Sequence, residues 1–162
     1  MIEVLEKNKI MKLKNALIII MVTASSCAYN KKQNTLPIIG TWQLVAATST
    51  EKGQTISTFN AKQKMIKIIN QTHFAFLNHD VDNGKDSANS AYSAGGGVYT
   101  LADSIYTEHL EYFNNRQWEN NTFQFVIKIT GDTLIQQGIE KVDKLGVDHV
   151  IVEKYVRIKT KL

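Results

Sequence analysis

From Pro37 to Lys159 the chain runs in short segments rich in Val, Ile, Thr, Tyr and Phe, and turn chemistry interrupts them at intervals of about ten residues. No convincing 3.6-residue period persists long enough to make a helix. This punctuation constrains the fold more than any other feature. It predicts strands at Gly40–Thr48, Gln63–Asn70, Thr72–Asn78, Ala91–Leu101, Ser104–Phe113, Thr122–Thr130, Thr133–Ile139 and Val147–Lys159. Between them stand the turn signals Glu51-Lys52-Gly53, Asn83-Gly84, Ala102-Asp103, Asn114-Asn115, Gly131-Asp132 and Leu145-Gly146. Thr55 to Ala61 reads as a short helix or a loop. Consecutive hairpins at even spacing favour an all-β, eight-stranded, up-and-down antiparallel barrel, because closure removes exposed strand edges. A two-sheet sandwich is the competing arrangement. Gly95-Gly96-Gly97 inside a strand favours closure, since glycine permits the bulge at which a sheet bends.

Composition narrows the class further. With 43% hydrophobic and 21% charged residues, the chain suits one folded domain with short appendages, not a coiled coil or a disordered tail. The single cysteine excludes disulfide scaffolds and cysteine-based zinc sites. The net charge is +4, but four Lys and two Glu fall before Asn30, leaving +2 for the remainder. Outside Lys31-Lys32 and the spaced Lys62, Lys64 and Lys67 there is no basic cluster, so nucleic acid is not an expected partner.

The N-terminus has its own pattern. Lys7, Lys9, Lys12 and Lys14 precede an apolar run from Ala16 to Val22, then small residues lead to Cys27. That order predicts a secretory signal over residues 1–26, with Met11 as an alternative start. Its apolar core is far shorter than the roughly 20 residues that cross a bilayer. Ala24-Ser25-Ser26-Cys27 resembles the lipobox of bacterial lipoproteins, with Ala24 where leucine is usual. The resemblance implies lipidation of Cys27, export, and anchoring in the cell envelope, at the outer membrane. An ordinary secreted protein with a free thiol near its cleavage site is the other reading. Residues 28–37 read as a tether, and 38–162 as the barrel domain.

Gly40-Thr41-Trp42 on the first strand and Arg157 on the last resemble the lipocalin (calycin) signature, in which tryptophan plugs one barrel end beneath a late arginine. Thr72-His73-Phe74-Ala75-Phe76, Ala94 to Leu101 and Tyr106 to Tyr112 are similar to segments of lipocalin-like bacterial lipoproteins, a largely uncharacterised family. The resemblance covers Ile38 to Lys159. It implies the barrel, with Gly40, Trp42 and Arg157 as structural signature, and a small lipophilic ligand in the barrel mouth.

Side-chain parity then nominates lining residues, since alternate strand positions face opposite ways. Phe123, Phe125, Ile127 and Ile129 form one inward face; Leu134, Gln136 and Gly138 share another. Tyr106, Glu108, Leu110 and Tyr112 are assigned inward, with Tyr99 from the neighbouring strand. The expected ligand-binding set is therefore Tyr99, Tyr106, Glu108, Tyr112, Phe123, Phe125 and Gln136. Glu108 would need tyrosine hydroxyls or Arg157 as partners, or would anchor a ligand's polar group. Glu153 and Arg157 are expected to pair near Trp42. His73, His79, His109 and His149 lack metal-ligand spacing, and His79 to Gly84 departs from a calcium loop at Val81, so no metal or cofactor is expected. Nucleophile elbows, phosphate loops and dinucleotide fingerprints are absent. The leading expectation is an exported, lipid-anchored barrel that binds a small apolar or amphipathic molecule. The alternatives are an accessory lipoprotein with a filled barrel that meets an envelope partner through its outer surface, and an isomerase or cyclase using Glu108 and a tyrosine.

Overall fold

The computed structural model of the protein describes residues 37–87 and 90–159. The leader, Met11, Cys27 and the tether as far as Leu36 lie outside the described residues. Nine strands follow in chain order: β1 (Gly40–Glu51), β2 (Gln54–Ser57), β3 (Gln63–Ile69), β4 (His73–Asp80), β5 (Tyr92–Ala102), β6 (Ile105–Phe113), β7 (Asn121–Thr130), β8 (Thr133–Val142) and β9 (Val147–Arg157). Every pairing is antiparallel between sequence neighbours except two. β1 skips β2 to pair with β3, and it also pairs with β9 from Trp42↔Arg157 to Thr50↔Val150. That last pairing closes β1 and β3 to β9 into an eight-stranded antiparallel barrel.

The ninth strand is the segment expected to be a helix or loop. Lys52-Gly53 turns the chain back at once, so Gln54–Ser57 pairs with Thr48–Glu51 as a flap on the end of β1. β1 leaves β3 beyond Gln43↔Ile66, and the loop after β2 crosses this seam, with Thr58 N–H donating to the Ala47 carbonyl at 3.0 Å. The expected bulge also occurs. Between Gly96↔Tyr112 and Gly97↔Leu110 strand β6 holds one extra residue, Glu111. A Cβ at Gly97 would collide with the His109 carbonyl oxygen, so this crossing needs glycine.

Strand direction gives the barrel two unlike ends. At one, Trp42 is fully buried and donates from Nε1 to the Ile38 carbonyl at 2.7 Å. The Arg157 guanidinium carbon lies 4.0 Å from the Trp42 ring centroid, and its NH groups donate to the Ile39 and Pro37 carbonyls. One cation thus covers the indole and ties the entering chain to the last strand, the ring contact contributing about 0.5–2 kcal/mol. Asp132 Oδ1 lies 3.9 Å from Arg157 Nε. The expected Glu153–Arg157 pair does not form, because four residues of strand separate them by about 13 Å. At the other end lie the β1–β2 flap, the loops after β4 and β8, and a 3₁₀ turn at Arg116–Trp118.

Gly40 has φ +146°, and a Cβ there would meet the Arg157 guanidinium. Gly40→Ala is expected to lower unfolding free energy by about 1–3 kcal/mol, measured by urea denaturation. An unchanged midpoint would show that the plug tolerates a side chain at the entrance to β1.

A candidate binding cavity around a buried lysine

Parity in β3 follows from its hairpin with β4. Ile69 pairs with Phe74 and Lys67 with Phe76, so once Phe74 and Phe76 face inward, Lys67 must as well. Lys67 is 3% exposed, yet it lies on a strand whose other inward residues include Met65 and buried Ile69. An ammonium in that position needs acceptors. Its Nζ donates to Glu108 Oε1 at 2.8 Å and to Gln136 Oε1 at 3.0 Å. The rings of Tyr155, Phe74 and Tyr106 surround it at 5.4, 5.8 and 5.9 Å. Burial by itself would pull the lysine's pKa down; the carboxylates of Glu108, Glu153 and Glu140 reverse this and hold it above its ordinary value of 10.5. Lys67 is thus a fixed cation, unsuited to attack a carbonyl as a free amine.

Above this floor the barrel is hollow. A cavity of about 290 Å³ is lined by Lys67, Glu108, Gln136, Glu153 and Tyr155 below, and by Met65, Phe76, Leu110, Phe113, Trp118, Phe123, Asn115 and Glu140 around the wall. The aromatic residues form an arc. Phe76 meets Phe113 edge-on at 5.3 Å, Phe113 meets Trp118 at 6.4 Å, and Trp118 meets Phe123 at 6.1 Å. Trp118 is held over the mouth by its own turn. Glu119 accepts from the Phe113 N–H at 2.9 Å and from Arg116 Nε at 2.6 Å, and Asn121 Nδ2 donates to the Trp118 carbonyl at 2.7 Å. The Phe113 N–H, then Arg116, keeps the Glu119 carboxyl below its ordinary pKa.

A smaller chamber of about 180 Å³ lies at the seam between β1 and β3, lined by Leu44, Ala47, Phe59, Met65, Glu153 and polar residues including Asn60, Gln63 and Asn78. Met65 and Glu153 border both chambers. Glu153 Oε2 accepts from Tyr155 Oη at 2.7 Å. Burial raises its pKa, with Lys67 and Tyr155 opposing. Glu140 Oε2 lies 3.0 Å from His149 Nε2.

Of the residues nominated from sequence, Glu108, Phe123 and Gln136 line the main cavity. Tyr106 and Phe125 face inward but belong to the packed core beneath it. The Tyr106 hydroxyl is buried without a hydrogen-bond partner among the described residues, and burial, then the charge of Glu108, raises its pKa. Tyr99 packs on Tyr106 at 5.2 Å and donates its hydroxyl to the Asn70 carbonyl at 2.7 Å, away from the cavity. Tyr112 is on the outer surface, 69% exposed. The extra residue Glu111 reverses parity after Leu110, so Phe113 turns inward in its place. Glu108 takes its partner neither from a tyrosine nor from Arg157 but from Lys67, the residue that sequence reasoning missed along with Trp118 and Glu153. His73, His109 and His149 bond Thr72, Thr122 and Glu140 respectively and do not converge.

Fold and site together define a closed antiparallel β-barrel with an internal, partly ionic cavity. The chain belongs to the family described as Domain of unknown function (DUF4488), whose model matches residues 37–162. No curated protein matches it.

Removing one partner of a buried ion pair strands the other. Lys67→Met is expected to lower stability by about 3–5 kcal/mol, whereas Lys67→Met with Glu108→Leu recovers most of that loss. Equal losses in the single and double variants would deny the coupling. For Glu153 the sign differs. The fold holds its proton to higher pH than the unfolded chain does, so wild-type stability falls as pH rises from the ordinary value of 4.5 through the raised pKa. Glu153→Gln is expected to remove that fall and to be at least as stable as wild type at neutral pH; a steeper fall in denaturation midpoint would reverse the assignment.

Proposed function

We propose that the protein is an exported, lipid-anchored binding module that holds a small amphipathic molecule in its barrel. The observation that carries the reading is the cavity, whose aromatic arc suits an apolar body and whose Lys67–Glu108–Gln136 floor offers polar contacts in a protected place. Its volume of about 290 Å³ suits a small ligand. The likeness to lipocalin-like lipoproteins supports the same reading, with Gly40, Trp42 and Arg157 at the plugged end and the mouth opposite. Anchoring through Cys27 rests on the leader and the lipobox resemblance, and it would hold the barrel at the cell envelope.

Catalysis through Glu108 and a tyrosine is the weaker reading, because Lys67 already engages the Glu108 carboxylate. The accessory role has one observation in its favour. Tyr112, Leu77, Ala75 and Ala94 border a shallow apolar groove on the outer face of β4, β5 and β6, and such faces often meet partners.

Native mass spectrometry of the full chain, expressed in a Gram-negative bacterium and extracted from its membranes, tests both parts. The expected mass begins at Cys27 and carries acyl groups, with a further small molecule bound non-covalently. Leu110→Trp, which fills the cavity, is expected to lose that molecule while keeping the wild-type circular dichroism. A chain that is empty, and indifferent to added amphiphiles, would overturn the binding role in favour of the outer surface; an unacylated Cys27 would overturn the anchor.

A further inference from the structure

The charges around the main cavity do not balance. Lys67 is the only lysine or arginine among its lining residues, against Glu108, Glu140 and Glu153. Lys67 is committed to Glu108 at 2.8 Å and to Gln136, with three aromatic rings closed around it. Glu140 has His149. Glu153 has a hydroxyl, Tyr155 Oη, on Oε2, and no ion pair among the described residues. Neither Glu140 nor Glu153 thus has a lysine or arginine committed to it among the described residues, and of the two it is Glu153 that sits where the two chambers meet.

We infer that the ligand is an organic cation, an amine or quaternary ammonium on an apolar body, whose charge lies beside Glu153 and whose body lies against Phe113, Trp118 and Phe123. This rests on the cavity being a binding site. Two features beyond the acid support it. The rings of Phe113, Trp118 and Phe123 line the cavity, and an aromatic face attracts a cation most strongly where water is excluded. The neighbouring chamber supplies Asn60, Gln63 and Asn78, which can meet the hydrogen-bonding end of a longer amine. An anion would have to approach Lys67 in front of two further carboxylates, Glu140 and Glu153, and would find its ammonium already bonded. The raised pKa of Glu153 agrees with an acid awaiting a partner: a bound cation would supply what burial has removed.

Isothermal titration of the full chain with three probes of similar shape tests the inference: benzyltrimethylammonium, benzyl alcohol and benzenesulfonate. The cation is expected to bind at least about tenfold more tightly than the alcohol, and the sulfonate least. Glu153→Gln should abolish the preference for the cation while leaving affinity for the alcohol within about twofold, with Leu110→Trp blocking both. Glu140→Gln serves as a second variant, and it should reduce cation affinity less. If the alcohol binds as well as the cation, or the sulfonate binds best, the inference fails while the binding role stands. If no probe binds, both fail.

Discussion

A lysine ammonium inside an aromatic-walled barrel cannot be left to itself. Unpaired, it would lose its hydration without replacement, a cost of several kcal/mol even after relaxation. Three strands meet that demand at once: β3 brings Lys67, β6 brings Glu108 and β8 brings Gln136. These strands are not neighbours in the sheet, so the contacts cross the lumen. They fix how far apart opposite walls can stand, something backbone ladders between adjacent strands do only indirectly. The same group divides the interior. Below it Trp42, Phe125, Ile127 and Leu134 pack solidly, and above it the lumen stays open.

The two barrel ends accordingly carry different physics. The Trp42–Arg157 end is dry and over-determined: the indole is bonded through Nε1, covered by the guanidinium, and the guanidinium is bonded to the entering chain. The opposite end is built from loops and from strands that part. β1 leaves β3 after Gln43 and takes β2 as a substitute partner, which satisfies its backbone without closing the seam. Trp118 reaches the lumen from a 3₁₀ turn, not from a strand, and Glu119 fixes that turn through both carboxylate oxygens. The dry plug and the loop-built mouth thus lie at opposite ends of one barrel.

How much of this was legible in the sequence depended on whether period-two reasoning had a clear phase. In β7, Phe123, Phe125, Ile127 and Ile129 alternate with mostly polar residues, and their inward face is as read. The closing pair was legible through the resemblance to the lipocalin signature, since Gly-x-Trp on the first strand and an arginine on the last are common features taken one at a time. Tyr112 was misassigned because one bulged residue inverts parity, and the triple glycine pointed to a bulge without giving its register. Lys67 was missed for a different reason. In Gln63–Ile69 both faces carry isoleucine, so alternation within the strand gave no phase for Lys67. The signal was in the next strand, where Phe74 and Phe76 fix the phase through the hairpin. Glu153 was matched to Arg157 because both lie on one face of β9, but a shared face does not imply a shared height along it. Nominating single residues strand by strand cannot find a site whose members meet only across the lumen.

An eight-stranded barrel is narrow enough for side chains to fill completely, and this chain fills the lower half in that way. The upper half is lined by Phe76, Phe113, Trp118 and Phe123, side chains with ample volume to do the same, yet they stand around a space instead of collapsing into it. Two arrangements keep them apart. The turn at Arg116–Trp118 suspends the indole from outside, and the Lys67 cluster below demands room for polar groups that an apolar plug could not satisfy. Retaining both an unfilled lumen and a carboxylate without a dedicated cation works against stability in a domain of this size. A filled, neutral interior would fold more tightly on the same strands, so the requirements of the fold do not by themselves account for the open lumen.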